Sequence, residues 1–81
     1  MTVIELADVV FASDLQQQPT PNARDVAGAV SRVLAQHDLA WCVCQIAQEA
    51  GEHPECYQAR MRWALKLARA HASDPALNRR A

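Results

Sequence analysis

The sequence contains few aromatic residues and few glycines. Its 81 residues include one Phe, one Tyr, two Trp and two Gly, although 51% of the residues are hydrophobic. Because the hydrophobic residues are mostly Ala, Val and Leu, the composition favours close packing of helices over a β-sheet. With Gly only at positions 28 and 51, the chain also has no Gly-rich loop of the kind that binds phosphate groups.

The number of cysteines and the charge of the N-terminal residues indicate the cellular location of the protein. The three cysteines are an odd number, which argues against a scaffold held by disulfides. Glu5 and Asp8 stand where a secretory signal peptide requires positive charge, and no apolar run approaches the ~18 residues of a membrane span. We therefore expect a cytoplasmic protein with reduced thiols.

Basic residues are scarce until late in the chain. Positions 1–59 contain two basic residues and eight acidic ones, whereas positions 60–81 contain six basic residues and one acidic residue. Such an asymmetry is typical of proteins with an anionic partner. The alternative is that the acidic and basic parts pair with each other inside one domain.

The length allows one small domain, which buries about 60–65% of its unfolded surface. The predicted fold is an all-α, single-domain bundle over residues 1–73, with a frayed tail at 74–81. Apolar periodicity and start signals predict four helices, near 3–12, 21–37, 39–50 and 54–72.

Helix starts are well marked. Thr2 and Glu5 form a capping-box pair, in which the hydroxyl and the carboxylate satisfy free backbone N–H groups. Thr20 before Pro21 predicts the second start, and Asp38 is a good cap for the third helix.

The third and fourth helices are predicted to form a hairpin. Gly51 can close the third helix in the left-handed conformation, and Pro54 can open the fourth. Inside the second helix, Gly28 predicts a close approach by another helix.

The apolar residues of the first helix cover more than one face, so we expect it to pack between neighbours or to contact a partner. The other three helices are each expected to bury an apolar stripe. The second buries Val26, Val30, Val33, Leu34 and His37, and the third buries Leu39, Val43, Ile46, Ala47 and Ala50. The fourth buries Tyr57, Met61, Ala64, Leu65 and Ala68, with a second apolar line of Cys56, Trp63 and Leu67 beside it.

Residues that could carry chemistry do not form a convincing site. Cys42 and Cys44 point about 200° apart on a helix, which is unsuited to a zinc pair with His53 and Cys56. Cys42 and Cys56 are expected to be small buried residues between the last two helices. No Ser–His or Cys–His pairing follows from the spacing, so we expect no enzyme, metal or cofactor.

Opposite the apolar arc of the fourth helix, Arg62, Lys66 and Arg69 form a basic ridge. We expect this ridge to bind an acidic partner. Trp41 and Trp63 are candidate partner anchors, and the alternative for Trp41 is packing under the first helix.

The stretch IAQEAGEHPECYQARMRWALKL resembles the promoter-binding C-terminal domain of bacterial sigma factors. The shared order is Ile46-Ala47, then Glu49, the turn Gly51 and the segment Arg60-Met61-Arg62-Trp63-Ala64. This resemblance to a helix-turn-helix covers residues 45–67 and implies that the small Ala47 lets the two helices cross closely. The segments ADVVFASDLQ, PTP and HPE…ARMRWA are also similar to a family of small uncharacterised helical proteins of high-GC bacteria, which implies no activity.

The helix-turn-helix resemblance implies a set of DNA contacts. His53, Glu55, Gln58, Ala59 and Arg62 would face the major groove, and Lys66 and Arg69 would meet phosphates. Two functions therefore stay open: a small regulatory or protein-interaction module that uses the basic face, and a DNA-binding transcription regulator. A homodimer is plausible because it would cover excess apolar surface and suit two half-sites.

Overall fold

The structure, a computed structural model, describes residues 1–78 and contains only helices there. The helices are α1 (Val3–Ala12), α2 (Ala23–Gln36), α3 (Leu39–Glu52), α4 (Pro54–His71) and α5 (Pro75–Asn78). The Cα radius of gyration is 11.7 Å, as expected for a compact domain of this length. The predicted all-α bundle with four main helices is thereby confirmed.

Two of the predicted start signals act as expected. Thr2 and Glu5 form a complete capping box, with N···O distances of 2.9 and 3.1 Å. Asp38 accepts a hydrogen bond from the Trp41 backbone N–H at 2.8 Å and caps α3.

The start of α2 differs from the prediction. Asn22, and not Thr20, is the N-cap residue, and it forms a capping box with Asp25 at 2.8 and 3.1 Å. Pro21 lies just before the helix and is buried. The reciprocal pair satisfies two free N–H groups, which the Thr20 hydroxyl alone could not do.

The core is built around α1, which packs against α2, α3 and α4. That position explains why the apolar residues of α1 cover more than one face. The fully buried side chains include Val9, Val10, Val26, Val30 and Cys42.

The predicted apolar stripe of α3 is wrong in part, since Leu39, Ile46 and Ala50 are half-buried but the other two members are not. Val43 is 52% exposed and Ala47 is also exposed, whereas Cys42 is completely buried. The buried face is therefore rotated by about one residue, toward Cys42, Ile46 and Glu49. Ala47 does not lie in a helix crossing.

The connection between α3 and α4 is shorter than predicted. Gly51 lies inside α3 with a negative φ, and His53 alone joins the two helices with φ −139° and ψ 69°. The role assigned to Gly28 is also wrong, because the nearest atom to an added Cβ would be Nη1 of Arg32 at 3.4 Å. Neither glycine is required by its local geometry.

The start of the tail is ordered. The short helix α5 packs against α2, and Leu77 is 3% exposed in the core. This differs from the frayed tail expected from residue 74 onward, while residues 79–81 lie outside the described part of the chain. In residues 1–78, no helix is long and apolar enough to cross a membrane.

Candidate functional site

The basic ridge predicted on α4 is exposed. Arg62, Lys66 and Arg69 all point away from the buried side of the helix, where Ala64 and Ala68 pack. A helix places residues four and seven apart on one face, so the three cations form one continuous surface. The sequence pattern was sufficient to place this ridge.

The ridge is not neutralised by the acidic part of the protein. Arg62 donates from Nε to the Gln58 carbonyl at 3.4 Å. Among the described residues, the ion pairs are Arg32 with Asp14 at 3.0 Å and His53 with Glu49 at 3.4 Å, and both lie away from the ridge. Internal pairing therefore does not account for the cations of α4.

A shallow apolar groove runs beside the ridge. Tyr57, Met61 and Leu65 are half-buried and line it together with Gln58 and Arg62. We call these five residues the α4 groove. Of the stripe predicted to be buried, Ala64 and Ala68 lie in the core together with Leu67 of the second apolar line, whereas Tyr57, Met61 and Leu65 are only partly buried against it. One side of α4 thus combines open apolar surface with positive charge.

Arg60 is half-buried on the same face of α4 as Ala64 and Leu67. Its guanidinium donates to the backbone carbonyls of Phe11 at 2.9 Å, Ser13 at 3.0 Å and Leu15 at 3.2 Å. These carbonyls lie at and beyond the end of α1, where they have no partner within the helix and where the helix dipole favours a cation. Arg60 therefore caps α1 from another helix.

Aromatic rings flank the same guanidinium. The Cζ atom of Arg60 lies 5.5 Å from the Phe11 ring centre and 4.8 Å from that of Trp63, and Phe11 also contacts Tyr57 at 5.9 Å. Burial lowers the pKa of Arg60, and Glu49 opposes this shift. The side chain still remains charged, as arginine does in proteins. Sequence patterns missed this role because Arg60 shares a face with Ala64 and Leu67 but was counted as polar.

Both candidate anchors are half-buried. Trp63 packs against Arg60, and Trp41 stacks on His37 with ring centres 3.6 Å apart and planes 8° apart. Each tryptophan therefore has packing partners within the protein and keeps part of its surface open. His37 is not in the core stripe predicted for the second helix but lies at its end.

The first turn of α4 is acidic, not basic. Glu55 is exposed near the start of α4, and Glu52 is exposed at the end of α3. His53 contacts Glu49 on the preceding turn. The structure thus separates the predicted site residues into an acidic end, with His53 and Glu55, and a basic side, with Arg62, Lys66 and Arg69.

The cysteines do not form a chemical centre. Cys42 is buried, as predicted, but Cys56 is exposed, as is Cys44. Burial raises the pKa of the Cys42 thiol, with a smaller effect from Asp8 and Asp38, so this thiol is a poor nucleophile. In the described residues, no three His, Cys, Asp or Glu side chains are placed to hold a metal ion.

Comparison with known proteins adds no relative. No protein-family model, curated protein or solved structure shows a significant match to the chain. The resemblance of residues 45–67 to sigma factors stays a prediction.

Proposed function

We propose that the protein is a small regulatory, protein-interaction module that binds an acidic amphipathic helix of a partner protein through α4. The observation that carries this proposal is the position of the α4 groove directly beside a ridge of unpaired cations. Apolar area supplies affinity, and complementary charge supplies orientation and a faster encounter.

The dimensions of the surface suit a helix. Tyr57, Met61 and Leu65 are spaced four residues apart, so their side chains follow one side of α4 over about two turns. A partner helix packs into such a groove with apolar residues at positions i, i+3 or i+4, and i+7. Acidic residues next to those anchors would face Arg62 and Lys66.

The alternative partner is DNA, with α4 as a recognition helix. The exposed cations support it, since Gln58 and Arg62 are able to contact base edges and Lys66 and Arg69 to contact phosphates. Two observations favour a protein instead. Glu52 and Glu55 are exposed where phosphates would approach, and the groove next to Arg62 is apolar.

We also propose a cytoplasmic location and an assembly of identical subunits, of which a homodimer is the smallest form. Cys42, Cys44 and Cys56 are all free thiols, which suits a reducing compartment. Exposed apolar side chains at Ile4 and Val43 supply surface that a second copy could cover.

Binding of two labelled probes tests the proposal. The first is a synthetic helical peptide with leucines on one face and glutamates beside them, and the second is random-sequence duplex DNA. Fluorescence anisotropy at low salt should show binding of the peptide, and the affinity should fall as salt is added. Arg62→Ala with Lys66→Ala should weaken this binding about 2- to 30-fold, since exposed pairs contribute roughly 0.2–1 kcal/mol each.

The matched control is Arg24→Ala with Arg32→Ala, which removes two exposed cations from α2 instead of α4. It should leave peptide binding nearly unchanged. Absence of peptide binding at low salt, or equal losses in both double variants, would contradict the proposal. DNA binding with a steep salt dependence that only the α4 variant reduces would instead establish the DNA alternative.

A further inference from the structure

A second groove lies at the N-terminal end of α1, where this helix meets the corner between α2 and α3. Its apolar lining consists of Met1, Leu34, Leu39 and Ala40, and its polar lining of Glu5, His37 and Asp38. We call these seven residues the N-terminal groove. None of them belongs to the α4 groove.

Exposed apolar side chains are concentrated on the two helices that border this groove. Within residues 1–78, the large hydrophobic side chains that are exposed are Met1 at 40%, Ile4 at 68% and Val43 at 52%. Met1 and Ile4 lie at the start of α1, and Val43 lies on α3, which packs against α1. Val43 lies one turn after Leu39, which lines the groove, so the apolar surface of the lining continues along α3. Continuous apolar surface of this kind is typical of a docking site.

The groove has a negative rim. Hydrogen bonds from the Thr2 backbone and side chain lower the pKa of Glu5, so its carboxylate is ionised at neutral pH. Asp38 accepts its bond from the Trp41 backbone N–H. Besides His37, the lining carries the terminal ammonium of Met1, whose charge also lowers the pKa of Glu5, so the carboxylates of Glu5 and Asp38 leave a net negative charge at the groove. The N-terminal groove is therefore apolar and acidic, whereas the α4 groove is apolar and basic.

We infer that the occupant of the N-terminal groove is the α4 surface of a second copy, so that the protein self-associates head to tail. Met61 and Leu65 would meet Leu34 and Leu39, and Arg62 and Lys66 would face Glu5 and Asp38. This inference rests on the proposed function, because it assigns the acidic partner of α4 to another copy of the same chain. The argument is complementarity of charge and of apolar surface.

The two grooves have separate linings on different helices, so each molecule presents one surface of each kind. Such a heterologous contact leaves a free α4 groove at one end of a pair and a free N-terminal groove at the other. Further molecules therefore bind to these free grooves, and the assembly becomes a closed ring or a short chain. Because the rims are exposed, salt should weaken the association.

Two variants that each block one groove test this arrangement. Arg62→Gln with Lys66→Gln removes the positive charge of the α4 surface, and Glu5→Gln with Ala40→Arg blocks the N-terminal groove without creating a new attraction between the two altered surfaces. All four positions are exposed or half-buried, and Gln at position 5 keeps the capping box. If the second variant does not fold, Glu5→Gln with Asp38→Asn replaces it, because Asn is an equally good cap.

Sedimentation equilibrium over a protein concentration series is the measurement. The wild-type protein should grow beyond a dimer at low salt and dissociate at high salt. Each blocked variant should be monomeric alone, whereas an equimolar mixture should form one-to-one dimers and nothing larger. The reason is that the mixture contains one intact groove of each kind on different molecules.

A wild-type protein that stays monomeric at every concentration would overturn the inference, and so would a mixture that does not associate. The acidic peptide separates this failure from failure of the proposed function, since the variant with a blocked N-terminal groove keeps its α4 groove. Peptide binding to that variant without self-association of the wild type overturns the inference alone. Loss of peptide binding as well overturns both.

Discussion

Arg60 is the residue that determines how α4 meets α1. Its guanidinium binds the carbonyls of Phe11, Ser13 and Leu15 and packs between the rings of Phe11 and Trp63. The side chain therefore stabilises the end of α1 and excludes water from the rings around it. Because the Arg60 guanidinium is held by contacts within the protein, it is not available to a partner, unlike Arg62 two residues later.

Replacing Arg60 should destabilise the protein. Arg60→Met removes the donors and leaves partly buried carbonyls without partners, which should lower the free energy of unfolding by about 2–3 kcal/mol. Arg60→Lys should recover little, since one ammonium group cannot reach the same set of carbonyls as a planar guanidinium. Urea unfolding followed by circular dichroism measures both effects.

The neighbouring variant Arg62→Met is the matched control. It should change the free energy of unfolding by no more than about 0.5 kcal/mol, because Arg62 is exposed. Equal stability of the Arg60 and Arg62 variants would show that the carbonyl contacts do not hold α1 in place.

Asp8 should make stability depend on pH. Burial raises the pKa of its carboxyl, with a further increase from Glu5. The native state then binds the proton more tightly than the unfolded state, so this residue lowers stability as pH rises from its ordinary pKa through the raised value. Asp8→Asn should therefore be more stable than the wild type at neutral pH, and the difference should shrink toward pH ~3.

Thermal unfolding at both pH values measures this difference. Glu52→Gln, at an exposed position, is the control and should change stability by less than about 0.5 kcal/mol at either pH. A destabilised Asp8→Asn variant at neutral pH would mean that the Asp8 carboxylate is stabilising.

For the helices, the residue at which a helix begins is easier to predict from sequence than the side of the helix that is buried. The capping box of Thr2 and Glu5, and the cap at Asp38, act through hydrogen bonds between near neighbours, so short motifs are enough to locate them. The buried faces depend instead on contacts with other helices. Arg60 shows this on α4, where its contacts with α1 place an arginine in the buried face, while Tyr57 and Leu65 are half-buried.

The same difference between local signals and contacts with other helices explains why only part of the candidate site was predicted. A ridge of Arg62, Lys66 and Arg69 follows from helical spacing alone, but the spacing left open whether acidic residues cover it, and the structure shows the three side chains exposed. The α4 groove was not predicted, because Met61 and Leu65 look like core residues in an apolar pattern. Gly51 was misleading as well, since glycine signals a turn without requiring one.

Gly51→Ala tests where α3 ends. Gly51 has a negative φ inside the helix, and an added Cβ would meet no atom within 4 Å. Alanine should therefore raise the free energy of unfolding by about 0.5 kcal/mol, through helix propensity and a less flexible unfolded chain. Denaturant unfolding measures this free energy, and Gly28→Ala, at the other helical glycine, is the variant with which Gly51→Ala is compared. Clear destabilisation by Gly51→Ala would show that Gly51 adopts the left-handed conformation of a turn.

For the whole molecule, the charge asymmetry of the sequence survives folding. Glu5 and Asp38 cap helices and line the N-terminal groove, and Arg62, Lys66 and Arg69 form no ion pair with an acidic residue in the described part of the chain. A chain that folded to neutralise itself would have placed Glu5 or Asp38 against Arg62 and Lys66. We therefore assign the charges of Glu5, Asp38, Arg62 and Lys66 to recognition between molecules.

The most direct test of that assignment is a ¹⁵N NMR titration of the protein with the acidic amphipathic peptide at low salt. The account predicts that the largest amide shifts fall along α4 from Tyr57 to Arg69 and that the α2 amides near Arg24 shift little. Saturation of these shifts should give one site per molecule. Shifts spread evenly over the protein, or confined to residues outside α4, would contradict the claim that α4 is the docking surface.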